Sequence, residues 1–229
     1  MKLLIVIPAY NEAENIVPVM EELQAAVPQY DYVIVNDGSA DRTAAICREK
    51  GYHLLDLPVN LGLTGAFQTG MRYAYEHGYD AAVQLDADGQ HDPKYLPEML
   101  RVMEETGADL VIGSRFLTEK KPHSMRMTGN TLISAAVRLT TGKKLTDPTS
   151  GMRMYGRSIL EKMAYGIAYR PEPDTVAFLI RSGAKVEEVQ GTMRERTAGE
   201  SYLSFGKSIK YMVQMFMNIL LIQWVRKRG

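Results

Sequence analysis

Apolar runs of strand length alternate with segments of helical period along the first half of the chain. LLIVIPA precedes a helix expected over 14–26, YVIVND one over 41–50, HLLDLP one over 65–77 and AAVQLDAD one over 95–105, and DLVIGSR closes the series. This alternation predicts an α/β fold with a mainly parallel central sheet flanked by helices. The unbroken apolar character of LLIVI and YVIV fits strands buried on both faces. In open sheets of this kind ligands bind beyond the carboxyl ends of the strands. The polar clusters fall there: residues 8–12 after the first strand, 36–39 after the second, 86–90 after the fourth and 113–115 after the fifth.

After about residue 116 the pattern changes. A basic stretch, FLTEKKPHSMRMTGN, leads to a helix near 131–139, and LTDPTSGMRMY reads as a loop entering a strand. Helices around 157–163 and 174–182 and a short strand in AKVEEV follow. With no internal repeat and no low-complexity linker, the second half is expected to pack on the first sheet. One catalytic domain is therefore expected over 1–205, followed by an amphipathic helix over 206–229. The apolar run of that helix, 211–225, is shorter than the ~20 residues that span a bilayer and contains Gln214, Asn218 and Gln223. Lys207 and Lys210 precede it, Trp224 lies near its end, and Arg226, Lys227 and Arg228 follow. These features suit a helix at a membrane interface; packing on the core or on another subunit is the alternative.

Composition narrows the partners. The 27 basic and 27 acidic residues cancel, so no global field points to nucleic acid and any anion binding is local. The single cysteine, Cys47, has no partner for an internal disulfide and reads as a buried thiol in a helix, in keeping with a reducing compartment. The apolar run in MKLLIVIPAYNE is too short for the core of a signal peptide, and it reads as the first strand.

The densest polar chemistry is QLDADGQHDP. In an extended chain positions i, i+2 and i+4 share a face, so oxygens of Asp86, Asp88 and Gln90 can converge on one point. An all-oxygen set suits Mg²⁺ or Mn²⁺ rather than zinc, and such ions complete their shell with water and substrate phosphates. A polar turn is the alternative; His91 could extend the site, although a lone histidine in a polar turn more often faces solvent. Asp37 in VNDGS stands where an acid accepts hydrogen bonds from a base edge or ribose, and Asp41 is a candidate N-cap for the second helix. NLGLTGAFQTG is Gly-rich before a helix and suits close approach of a diphosphate to backbone amides.

PAYNE, VNDGS, NLGLTGA, QLDADGQHDP, GSRF, DPTSGMRMY and RERTAGES follow one another in this chain. In that order they resemble the motifs of family 2 glycosyltransferases, and in particular the polyprenyl-phosphate branch typified by dolichol-phosphate mannose synthase. The resemblance extends from Ile5 to about Ser201. It implies a GT-A fold, a nucleotide-sugar donor, and Mg²⁺ or Mn²⁺ on Asp86, Asp88 and Gln90. It also implies nucleoside contacts from Pro8, Tyr10, Glu12 and Asp37, with Asp86 beside them. Arg115 and Arg126 would face the acceptor phosphate, Arg196 would reach the phosphates, and Ser134 would lie in the acceptor region; with Asp88 these arginines make up the expected catalytic set. Arginine's forked donors suit phosphate oxygens.

The implied reaction is an inverting transfer of a hexose or N-acetylhexosamine, from UDP-glucose or UDP-N-acetylglucosamine, to undecaprenyl or another polyprenyl phosphate at the cytoplasmic membrane face. A phosphate monoester, with a second pKa of about 6, is largely ionised near neutral pH and needs no strong base, whereas a hydroxyl acceptor does. Asp147 and Glu172 fall where hydroxyl-acceptor relatives place that base, and both read as positioning groups. The competing expectations are transfer to a saccharide hydroxyl in surface polysaccharide synthesis and a non-catalytic nucleotide-sugar-binding subunit. The short forms that the chain resembles leave room for a small membrane-protein partner or a homo-oligomer.

Overall fold

The computed structural model of the chain describes residues 1–119, 121, 125–166, 169–194 and 205–222, the side chains of 125–126, 205–210 and 222 excepted. Its first half alternates β1 (Leu3–Ala9), α1 (Ile16–Ala26), β2 (Asp31–Asn36), α2 (Thr43–Glu49), β3 (Leu54–Asp56), α3 (Gly62–Glu76), β4 (Ala81–Gln84), α4 (Leu96–Thr106) and β5 (Leu110–Ser114). Then come α5 (Met125–Thr141), β6 (Arg153–Gly156), α6 (Arg157–Tyr165), α7 (Pro173–Arg181), β7 (Val186–Gln190) and α8 (Phe205–Met217), whose end passes into a π-helical turn over Asn218–Ile222.

The strands form one seven-stranded sheet in the order β3-β2-β1-β4-β6-β5-β7. β1 is parallel to β2 and β4, and β5 to β7, while β6 runs antiparallel to both neighbours, β4 and β5. The carboxyl ends of the parallel strands therefore share one edge with the amino end of β6. That reversal brings the loop before β6, 147–152, to the edge that carries the ends of β4 and β5.

Each face of the sheet has its own core, as the strict alternation of side chains in a strand requires. Leu4 and Val6 of β1 join Val33, Phe67, Met71, Tyr155 and Leu160 under α3, α5, α6 and α7. Leu3, Ile5 and Ile7 join Ile16, Met20, Leu96 and Met99 under α1 and α4. In α4 the buried set Leu96, Met99, Leu100 and Met103 keeps one face of a 3.6-residue period. α8 lies against α5 and α7; Met215 and Ile219 are buried in the first core, whereas Val213, Met217 and Leu221 stay exposed. Among the described residues no helix is long and apolar enough to cross a membrane.

Candidate active site

The part of the edge where nucleoside contacts were expected is built from three loops. Asp37, buried just after β2, donates its amide to Ala9 O at 2.9 Å and accepts Leu61 N–H on Oδ1 at 2.7 Å. Asn11, in a left-handed conformation (φ 55°), accepts from the amide of Ala40 at 2.9 Å and donates its own amide to Ser39 Oγ. Glu12 donates its amide to Thr43 Oγ1 and accepts from Asn15 Nδ2 at 2.7 Å. Gly38 has φ +62°, and a Cβ there would stand 2.6 Å from Asn60 N; only glycine lets the loops after β2 and β3 close on each other. Pro8, the last residue but one of β1, is half-buried, and Tyr10 stands exposed beyond the strand. The cap of α2 differs slightly from expectation: Asp41 accepts the Thr43 amide at 2.9 Å, but the helix starts at Thr43. Burial pushes the Cys47 thiol up to about 11, which leaves it inert.

The acids after β4 occupy the middle of the same edge. Asp86 Oδ1 accepts from Gln84 Nε2 at 2.7 Å, and Asp88 Oδ1 accepts the Gln90 amide at 3.0 Å. Gln90 Nε2 donates to Arg194 O at 3.4 Å. His91, expected to face solvent, is instead only 3% exposed. Its Nδ1 accepts the Asp86 amide at 3.2 Å, so the other nitrogen carries the proton, and Nε2 lies 3.7 Å from Asp86 Oδ2. Gly151 covers the ring: a Cβ there would come within 3.3 Å of the imidazole and 3.6 Å of Asp86 Oδ2. Among the described residues no three His, Cys, Asp or Glu side chains gather as a metal site. With two carboxylates and one amide, the loop fits a hard cation that takes its remaining ligands from water and a diphosphate.

The part of the edge expected to face the acceptor is organised around Asp147. Asp147 has no exposure. Its Oδ1 accepts from Asn130 Nδ2 at 2.7 Å, Arg115 Nη2 at 2.9 Å and Thr149 Oγ1 at 3.0 Å; its Oδ2 accepts from Arg115 Nε at 2.6 Å and the Arg115 amide at 3.2 Å. Burial would push this carboxyl up, but the Arg115 hydrogen bonds and charge outweigh it and hold the group below the usual carboxylate range. Glu188 fixes the loop backbone, accepting from the amides of Thr146 and Asp147.

Beside this network an open groove of about 650 Å³ runs along α5, lined by Phe116, Lys121, Ser134, Arg138, Lys144 and Leu145 among others. Ser134 Oγ is buried there without a hydrogen-bond partner among the described residues. Burial lowers the Lys121 ammonium, which also donates to Asn130 Oδ1.

Two further charges act on each other: Arg153, which the sequence did not mark as a site group, and Glu172, which was expected as a positioning group. Arg153 of β6 is 2% exposed and donates Nη2 to Pro148 O at 2.9 Å, with Nε and Nη1 unpaired among the described residues. Burial raises Glu172, against the hydrogen bond from Tyr211 and the Arg153 charge, which pull it down. A strand-period reading of MRMYG would have found Arg153 on the face of Tyr155, opposite Met152 and Met154. Arg126's side chain and all of Arg196 lie outside the described residues; the structure sets Asp37, Asp86, Asp88, Gln90 and Arg115 along one edge and Ser134 on α5 in the groove.

Comparison with known proteins gives the family and the fold. Residues 4–164 match the family described as Glycosyl transferase family 2. The undecaprenyl-phosphate mannosyltransferase of Micrococcus luteus is 35% identical over 90% of this chain and 89% of its own. The UDP-N-acetylglucosamine–dolichyl-phosphate N-acetylglucosaminyltransferase of Methanococcus voltae is 30% identical over 96% of this chain and 95% of its own. In three dimensions, glucosyl-3-phosphoglycerate synthase of Mycobacterium tuberculosis, crystallised with Mn²⁺, UDP-glucose and phosphoglyceric acid, superposes with a TM-score of 0.70 at 17% identity. It covers 99% of this chain and 80% of its own. That likeness shows the GT-A fold, and with the matched motifs and the two relatives it establishes that the chain is a glycosyltransferase belonging to family 2.

Proposed function

We propose that the protein moves one sugar from a nucleotide diphosphate sugar to a polyprenyl phosphate at the cytoplasmic face of the membrane, as a peripheral enzyme. The observation that carries this reading is the state of Asp147. The one deeply buried acid on the acceptor side spends both oxygens on Arg115, Asn130 and Thr149, and a carboxylate so engaged and so acidic is a poor proton acceptor. The groove beside it combines apolar walls with Lys121, Arg138 and Lys144. Such a lining fits an ionised phosphate on an apolar chain rather than a saccharide hydroxyl.

In this reading the three loops after β1, β2 and β3 hold the nucleoside through Pro8, Tyr10, Glu12 and Asp37. Asp86, Asp88 and Gln90 hold Mg²⁺ or Mn²⁺, which when bound offsets charge growing on the leaving diphosphate. Arg115, oriented by Asp147 and with Nη1 against Met193 Sδ, faces the acceptor phosphate in this reading, where Arg126 and Arg196 are expected to join it. An acceptor phosphate oxygen attacks the anomeric carbon as the carbon–oxygen bond to the diphosphate breaks, the nucleoside diphosphate departs, and the configuration inverts.

Glucose and N-acetylglucosamine remain the expected sugars, and mannose stands beside them because the Micrococcus luteus relative is a mannosyltransferase. The exposed row Val213, Met217 and Leu221, on α8 and the π-helical turn that follows it, supplies the membrane contact, while Met215 and Ile219 hold the segment against the catalytic core; the domain boundary is placed near 205. A small membrane-protein partner or self-association would use the same row.

The test is transfer from radiolabelled UDP-glucose, UDP-N-acetylglucosamine and GDP-mannose to undecaprenyl phosphate with Mn²⁺, with label counted in the organic phase. Label from one donor, lost when lipid or metal is omitted, is the expected result. Label appearing on a saccharide acceptor and never on the lipid would overturn it.

A further inference from the structure

The loop that carries the oxygen ligands is one half of a clasp. His91 and Met193 form an antiparallel bridge, and the Arg194 amide donates to Gln90 O at 2.9 Å. Side chains fasten it. Arg194 Nη2 reaches Asp92 Oδ2 at 2.7 Å, and its Nη1 reaches Glu22 Oε1 of α1 at 2.6 Å. Asp92 is 2% exposed, and its Oδ1 accepts the Lys94 amide at 3.1 Å while Lys94 Nζ lies 2.8 Å from Oδ2.

A buried carboxylate needs compensation. Lys94 supplies some of it from within the same turn, but Arg194 supplies it from a segment about a hundred residues away, through a fork that spans two acids. On the inner side His91 holds the Asp86 amide and faces Asp86 Oδ2. The ligand loop is thus pinned at Asp86 by His91, and at Gln90 and Asp92 by Arg194.

We propose that Arg194 is a positioning residue for the divalent-cation loop: by clamping Asp92 and Glu22 while holding the Gln90 carbonyl, it keeps Asp86, Asp88 and Gln90 at the spacing one ion requires. This rests on the reading above that these three residues bind the metal. A small hard cation tolerates little displacement of its ligands, and groups that orient such ligands commonly govern affinity as strongly as the ligands themselves. A lysine cannot replace the fork, because a single ammonium does not bridge Asp92 and Glu22 in the way a guanidinium does.

The experiment titrates Mn²⁺ into the full chain and counts free ion by electron paramagnetic resonance, with whichever of UDP or GDP binds the parent protein present throughout. R194Q is expected to raise the Mn²⁺ dissociation constant by about 10–100-fold, the usual cost of losing an orienting partner. R194K, which keeps a charge on Asp92, is expected to recover part of that loss, and E22Q, which loses only the outer arm, to shift binding least. In turnover, R194Q should need more metal for half-maximal rate yet approach the parental rate at saturating metal. A folded R194Q with the parental Mn²⁺ constant overturns the proposal; if R194Q does not fold, a parental constant in R194K overturns it equally. A parent protein that binds no Mn²⁺ with either nucleotide would instead sink the metal site itself.

Discussion

Replacing Asp147 by asparagine keeps the side chain's shape and removes its charge. The carboxylate now accepts from Asn130, Thr149, the Arg115 guanidinium and the Arg115 amide, with nothing exposed to solvent. An asparagine offers one oxygen to these donors and turns an NH₂ against the others, so Arg115 or the Asn130–Thr149 pair loses its acceptor. Removing one member of a buried ion pair costs about 3–5 kcal/mol. The Arg115 side chain keeps 19% of its exposure, which lets water soften the loss and places the cost near the lower end, about 3 kcal/mol. For a domain of this size that corresponds to a fall of roughly 6–12 °C in Tm, at about 2–4 °C per kcal/mol.

The assay pairs urea and thermal unfolding, followed by circular dichroism, with turnover at a temperature where parent and variant are both folded. Stability and turnover should fall together, with KM for the lipid phosphate rising as Arg115 is released. A variant that melts like the parent yet has no activity would mean that Asp147 takes a proton in the reaction, and the positioning account would fail. A variant unchanged in both would refute the buried-pair energetics.

Three other outcomes follow from the geometry. Asp147 and Asp92 are held below the usual carboxylate range, so their stabilisation is complete above about pH 4 and disappears as pH falls through the lowered values. Glu172 is shifted the other way; its contribution declines as pH rises from about 4 through the raised value. Y211F removes the donor that pulls Glu172 down and should extend that decline to higher pH in urea titrations. An unchanged profile would deny the Tyr211–Glu172 link. G38A forces an L side chain into φ +62° against Asn60 N, at a cost of about 1–2 kcal/mol before the clash is counted; donor KM should rise, and a parental nucleotide affinity would contradict the cradle. Changing Val213, Met217 and Leu221 together to serine should cost about 2 kcal/mol of interfacial burial, roughly thirty-fold in vesicle partition, and unchanged flotation would remove α8 from the membrane contact.

What the sequence made legible follows the range of the forces involved. The strands and the helices around them are local patterns, and each of the first four βα units falls within a few residues of its expected place. The acids at the strand ends were equally visible, because a carboxyl edge is defined by where apolar runs stop. Helix α5 was expected over 131–139 and runs from Met125 to Thr141, since the basic residues at its start give no apolar period to follow. The direction of β6 was invisible: MRMY is a strand in either sense, and only its pairing with β4 and β5 decides. His91 was misjudged for a related reason. A polar turn normally faces water, but the bridge to Met193 covers this one from a segment a hundred residues away. Arg194 left no signal of its own, standing in a run of charges beside Arg196.

The antiparallel strand links these facts to chemistry. Were β6 parallel to its neighbours, the 147–152 loop would lie at the opposite edge of the sheet, and Arg115 would leave β5 with no acid opposite it. Because β6 enters from the ligand edge, Asp147 meets Arg115 across 32 residues of sequence, and Gly151 packs over the His91 ring that holds Asp86. One strand reversal therefore places a buried acid against Arg115 and a glycine against the loop of Asp86. In the proposed reaction an acid held this way orients the Arg115 guanidinium instead of taking a proton. The acceptor that such a site suits is one that arrives already ionised.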